Sequence, residues 1–186
     1  MEKSIKFKEL SQRWLSVSSL GKTYTYQQNL QSYINHLNNG IGDCKVADVK
    51  PAHIDEIIRQ LYIENPNTKK PTSKKVLKNI VDCATRIFDY AIENELIYKN
   101  PARNKKKVIP KNAPTKIVSA ITPEQQQLVI DTEHRAKIAA VIMMFMGLRT
   151  GEVLALEWGD IDLVNYKLSV NKRTQRISSN KYIVTE

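Results

Sequence analysis

The chain has 186 residues, 41% hydrophobic and 26% charged, which suits one folded domain or two small ones and makes a folded, soluble protein the default. Its longest apolar run, Ala139 to Leu148, is too short to span a bilayer. The formal net charge is +10, and it is unevenly placed: residues 1–112 carry 20 Lys and Arg against 11 Asp and Glu, residues 113–186 carry 9 against 8. A basic N-terminal part suits a polyanionic partner, most often nucleic acid, and a solubilising lysine surface is the alternative.

The first hundred residues read as helices. Phe7, Leu10, Trp14 and Leu15 recur at helical spacing, as do Tyr26, Leu30, Tyr33, Ile34 and Leu37, with Asn38-Asn39-Gly40 as a stop. Pro51 suits a first helical turn and is followed by Ile54, Ile57, Ile58 and Leu61, until Asn65-Pro66-Asn67 breaks the chain. A fourth and longest helix, capped by Thr72 or Ser73, carries the apolar stripe Val76, Ile80, Ala84, Ile87, Phe88 and Ala91 and ends near Asn100-Pro101. Four helices with short connections make a small bundle.

Residues 102–120 contain Pro110 and Pro114 and the basic run Arg103, Lys105, Lys106, Lys107 and Lys111, so they are expected to form an extended, exposed linker. A second domain is expected over 121–186. It starts on Thr122-Pro123-Glu124-Gln125, a cap with Pro at the first helical position and Gln at the capping-box position. An apolar helix follows around Ala136 to Met146, then a helix carrying Arg149 to about Leu156. Beyond Trp158 the period changes. Ser178-Ser179-Asn180 reads as a turn before a strand Tyr182-Ile183-Val184, so a hairpin is expected, and an ending in mid-strand suggests a piece of something longer.

Cys44 and Cys83 have no metal-ligand spacing and read as reduced thiols, and His36, His53 and His134 read as unclustered surface histidines. Lys3, Lys6 and Lys8 precede no apolar stretch, so no signal peptide is expected.

One arginine stands out. Arg149 follows the most apolar run in the chain, between Gly147 and Gly151, with Glu152 three residues on. A guanidinium placed there would be costly to bury without an anion, and the glycines imply a turn or a close backbone approach.

The stretch Gly147-Leu148-Arg149-Thr150-Gly151-Glu152-Val153-Leu154-Ala155-Leu156, followed by Trp158 and Asp160-Ile161-Asp162, resembles the first catalytic-arginine motif of the tyrosine recombinases, the phage-type integrases. The segment from Ala91 to Pro101 resembles the end of their core-binding domain, and Thr122-Pro123-Glu124 the start of their catalytic domain. The resemblance implies a mainly α protein: a four-helix, SAM-like core-binding domain over 1–101, then part of an α+β catalytic domain ending in a β-hairpin. It implies breakage and rejoining of DNA strands through a 3′-phosphotyrosine, with no cofactor, metal or nucleotide. Arg149 would stabilise the phosphate transition state, and Glu152 would support it.

The candidate contacts to double-stranded DNA are Lys22, Thr23 and Tyr24 at the second helix, Thr72, Ser73, Lys74, Lys75 and Lys78 at the fourth, and Arg103, Lys105, Lys106 and Lys107 in the linker. Family members also need a lysine in or beside the hairpin, a His-x-x-Arg and a tyrosine nucleophile. The 186 residues contain no His-x-x-Arg. Lys172 and Lys181 are left unassigned, and Tyr166 and Tyr182 read as strand residues rather than nucleophiles. The resemblance implies a parent enzyme that is tetrameric on DNA, cytoplasmic, without membrane contact and carried by a bacterium, phage or mobile element, while this stretch alone would be monomeric and inactive. A non-catalytic DNA-binding module or regulator built from recombinase parts is the alternative; a helical adaptor would leave Arg149 unexplained.

Overall fold

The computed structural model describes residues 4–186, which divide into two compact units, one up to Ile117 and one from Val118. With that boundary the first unit holds 21 basic and 11 acidic residues and the second 8 of each, so the whole net charge belongs to the first.

The first unit is a four-helix bundle of α1 (Phe7–Ser18), α2 (Tyr24–Ile41), α3 (Pro51–Ile63) and α4 (Lys74–Glu93). Each helix contributes the apolar stripe seen in its sequence. Phe7, Leu10, Ile34, Leu37, Ile54, Leu77, Ile80, Ile87 and Phe88 are essentially removed from water. The rings of Phe7 and Phe88 lie 5.3 Å apart, which joins the two ends of the unit's sequence through its centre. A backbone clasp fixes the start of α1: the Phe7 amide donates to the Cys44 carbonyl, and the Val46 amide to that of Ile5.

Helix starts follow side-chain chemistry. The Thr23 hydroxyl accepts from the Tyr26 amide at α2, and the Ser73 hydroxyl from the Val76 amide at α4. Ser73 is therefore the cap of α4. Ser73→Ala is expected to lower the unfolding free energy of this unit by about 1 kcal/mol in urea titration.

The bundle corrects several sequence expectations. Asn38-Asn39-Gly40 lies within α2, which runs on to Ile41. Gly40 serves packing instead: a Cβ there would come 2.6 Å from Ile57 Cγ1, so its absence lets α2 and α3 approach. Helix α4 stops at Glu93, where Glu95 turns the chain with φ +58°, rather than near Asn100. His36 is buried, not on the surface, and burial lowers its pKa. Burial likewise pushes the Cys83 thiol up to about 12, which keeps it an inert core residue.

The basic segment expected as an extended linker is packed on the bundle as far as Ile117. Ala102, Ile109 and Ala113 are buried in the core, and the Asn100 amide ties this segment to α4 by donating to the Thr85 carbonyl and to Asp89. Acidic residues of the bundle hold its cations: Lys105 meets Asp55 at 2.6 Å and Lys106 meets Asp82 at 2.6 Å, with Arg103 3.8 Å from Asp89. Three small apolar contacts and these pairs outweigh the freedom an exposed tether would keep.

The second unit comprises α5 (Pro123–Asp131), α6 (Lys137–Met146), the four-residue α7 (Thr150–Val153) and two antiparallel ribbons. The capping box of α5 is realised: the Thr122 hydroxyl accepts from the Gln125 amide, and the Gln125 side chain accepts from the Thr122 amide. Ribbon β1 (Ile161–Asp162) with β2 (Lys167–Leu168) closes on Asp162, whose carboxylate accepts from the Val164 and Asn165 amides. Ribbon β3 (Arg173–Arg176) with β4 (Tyr182–Thr185) pairs Thr174 with Val184 and Gln175 with Ile183. The expected hairpin and the position of Tyr182 are thus present. Tyr166 instead occupies the turn of the shorter ribbon with φ +53°, outside any strand. Ala155 is the one buried hydrophobic residue of this unit, and Phe145, Met146, Leu154 and Trp158 are exposed.

Candidate functional site

Arg149 is placed by a turn rather than by the middle of a helix. The apolar run ends when Gly147 takes the left-handed conformation, φ +70°, which caps α6. Leu148 follows, and Arg149 stands at the cap position of α7 in extended backbone. Glu152 holds it twice: Oε2 accepts from the Arg149 amide at 2.7 Å and Oε1 from Nη1 at 3.0 Å. These bonds to Arg149 hold the Glu152 carboxyl below its usual range. The Arg149 side chain is 87% exposed, so the burial cost anticipated from its apolar neighbours does not arise. The glycine reading holds at Gly151 as well, where an added Cβ would sit 3.1 Å from the Thr174 carbonyl oxygen of β3. The Thr174 hydroxyl donates back to the Gly151 carbonyl.

The arrangement suits an anion. A guanidinium with Nη1 on a carboxylate retains donors on its other nitrogens, and a phosphate can take two of them in one plane. Lys172 is held elsewhere: it lies between Glu157 at 2.9 Å and Asp160 at 3.1 Å, which raises its pKa and fastens the loop before β3. Lys181 immediately precedes β4 and is exposed. Among the described residues no group of His, Cys, Asp and Glu is arranged to hold a metal ion, and no helix is long and apolar enough to cross a membrane.

On the first unit the twelve candidate DNA contacts divide by exposure. Lys22, Thr23, Lys75, Lys78, Arg103, Lys106 and Lys107 are exposed, and Tyr24, Ser73, Lys74 and Lys105 are half-buried. Thr72 is buried, its hydroxyl accepting from Asn65 Nδ2, so it is a structural residue and not a contact surface. Lys105 keeps only 16% of its side chain exposed against Asp55 and acts as a fastener. Lys74 donates to the Lys111 carbonyl, and its backbone amide donates to that of Pro114, which helps dock the basic segment. Lys75 and Lys78 remain as the exposed cations of the first two turns of α4.

Residues 7–108 match the phage integrase central domain, and the chain belongs to that family. It is 27% identical over 158 residues to a tyrosine recombinase XerC-like protein of Caldanaerobacter subterraneus subsp. tengcongensis, covering 82% of this chain and 38% of that one. It is 26% identical over 175 residues to the ICEBs1 integrase of Bacillus subtilis, covering 91% and 45%. The chain thus spans less than half the length of these relatives. The fold is that of the Tn1549 transposon integrase, solved in complex with circular intermediate DNA, with a TM-score of 0.79 at 20% identity over 98% of this chain and 59% of that one.

Proposed function

We propose that this chain supplies the DNA-gripping unit and the first phosphate-binding arginine of a tyrosine recombinase that integrates or rearranges DNA at specific sites. The observation that carries this reading is Arg149: an exposed guanidinium held by Glu152 Oε1, with Oε2 accepting from the Arg149 backbone amide, within the arginine motif. In the complete enzyme a tyrosine oxygen attacks the scissile phosphorus, the bond to the 5′ oxygen breaks, and a 5′-hydroxyl leaves. One phosphodiester replaces another, so the step needs no external energy source. Charge grows on the non-bridging oxygens, where the arginine fork meets it. No residue of this chain is assigned as the attacking tyrosine, the second arginine or the catalytic lysine. Exchange between two duplexes cuts four strands, which calls for four protomers on the DNA in the complete enzyme. This stretch by itself is assigned as a monomeric DNA binder, working in the cytoplasm of a bacterial host.

Duplex binding by the chain tests the first half of this reading. Lys75→Ala with Lys78→Ala is expected to weaken binding to unrelated duplexes alike, and to reduce the slope of log K against log salt by about 2. An unchanged affinity with an unchanged slope would remove α4 from the interface.

A further inference from the structure

The turn that carries Arg149 has little packing to hold it. Glu152 binds the Arg149 amide and guanidinium, but it belongs to α7 itself, so it fixes the arginine within the turn and not the turn within the unit. Beyond α7 the chain runs into a short 3-10 turn, Trp158–Asp160. Along this stretch Ala155 is buried, while Leu154 and Trp158 face solvent. Toward α6 the Thr150 hydroxyl meets the Met143 sulfur at 3.6 Å, a weak bond. Further polar ties come from one strand. Just before β3, Lys172 Nζ donates to Glu157 Oε2 at 2.9 Å and lies 3.1 Å from Asp160 Oδ2. Within β3, the Thr174 hydroxyl donates to the Gly151 carbonyl at 3.3 Å. Lys172 and Thr174 are two residues apart, the spacing that puts side chains on one face of an extended chain. They therefore hold the two ends of the segment 151–160. Asp160 is the anchor at the far end. Its side chain is 12% exposed and that of Lys172 23%, so their attraction is little screened, whereas Glu157 is exposed. Asp160 Oδ2 also accepts from the Glu157 amide at 2.9 Å, and the Asp160 carbonyl accepts from the Ser169 amide at 2.8 Å. One carboxylate thus closes the turn and takes the lysine.

We propose that Lys172 is a positioning residue for Arg149: paired with Asp160, it fixes the segment that carries the arginine against strand β3. The proposal rests on the recombinase reading above and gives the lysine no contact with DNA. Its ammonium already meets two carboxylates and is largely shielded, so it is poorly placed to take a phosphate as well. The arginine needs a frame of this kind. A guanidinium stabilises the transition state only where its planar donors meet the phosphate oxygens, and a displacement of about 1 Å can cost about 100-fold in rate. Glu152 cannot supply that frame, because it would shift together with Arg149. Lys172 acts from outside the turn, through Asp160, and leaves the guanidinium free for its anion.

The test compares Lys172→Met, Lys172→Arg, Asp160→Asn and the Lys172→Met, Asp160→Asn double variant in the complete recombinase, with Arg149→Ala beside them. Single-turnover cleavage of a nicked duplex and duplex affinity are measured for each. Lys172→Met is expected to slow cleavage roughly 10- to 100-fold while affinity changes only a few-fold. Lys172→Arg, which keeps a cation between the two carboxylates, is expected to recover most of the rate. Asp160→Asn is expected to show a defect like that of Lys172→Met. The double variant leaves no shielded charge unpaired, so it keeps the fold, and its defect is expected to be no greater than the larger single one. A duplex with sulfur in place of the 5′ bridging oxygen separates positioning from proton donation. A thiolate leaves without being protonated, so this substrate would restore Lys172→Met if the lysine were the proton donor, and it is expected to restore nothing. Rescue by the sulfur substrate, additive defects, or cleavage by Lys172→Met at the intact rate would each overturn the proposal. So would a fall in affinity as large as the fall in rate, which would make Lys172 a DNA contact. Normal cleavage by Arg149→Ala would instead overturn the recombinase reading beneath it.

Discussion

Arg149→Ala, introduced into the complete recombinase, is expected to lower strand cleavage by roughly 10³-fold or more while duplex affinity changes only a few-fold. The asymmetry follows from the charge distribution. The net charge lies on the bundle unit, and the second unit has equal numbers of acids and bases, so losing one exposed cation there removes little ground-state attraction. In the proposed role the same cation would face the phosphate oxygens as they gain charge in the transition state, and no other side chain of its turn offers a planar pair of donors. Arg149→Lys is therefore expected to recover only a small part of the loss. The measurement is covalent protein–DNA complex on a duplex nicked near the cleavage site, resolved under denaturing conditions. Normal complex formation by Arg149→Ala would end the assignment. Glu152→Gln offers a graded control. The amide oxygen can still accept from the Arg149 backbone, while the ion pair to Nη1 is lost, so a smaller defect than that of Arg149→Ala is expected.

Phe88→Ala is expected to cost the bundle about 3–5 kcal/mol. Phe88 has no exposed surface, and its ring is tilted 39° against Phe7 at 5.3 Å. Truncation removes the transfer energy of the ring and leaves a hole bordered by α1 and α4. It also removes the aromatic pairing that adds to simple burial. At this unit's size each kcal/mol moves the melting temperature by about 4 °C or more, so the transition should fall well over 10 °C. Calorimetry or urea unfolding followed by helical signal would measure it. A loss below 1 kcal/mol would mean that the centre of the bundle repacks far more freely than its closed core implies. Duplex binding should fall with the folded fraction and recover in Phe88→Leu, which keeps most of the apolar volume.

The bundle was legible because its helices are amphipathic and each buries the stripe that its spacing displays. The errors arose where a residue type has two uses. Asn38-Asn39-Gly40 has the composition of a helix stop, yet Gly40 is needed for its missing Cβ against Ile57. The basic run at 103–107 has the composition of a solvated tether. Its partners Asp55, Asp82 and Asp89 come from α3 and α4, so no local window contains the reason it docks. Thr72 and Ser73 are adjacent and chemically alike, and only tertiary packing decides that one is buried and the other caps. Arg149 was singled out by its motif, whereas the left-handed turn at Gly147 that ends α6 before it is seen only in the backbone.

Gly151 makes the arginine dependent on another element. A four-residue helix has no persistence of its own, because helix formation becomes favourable only over several turns. The turn bearing Arg149 is instead braced against Thr174, through the close approach at Gly151 and the Thr174 hydroxyl bond. The β3–β4 ribbon therefore supplies, at Thr174, the support that the turn lacks by itself. Truncating Thr174 would loosen that turn without removing any atom of Arg149 or Glu152.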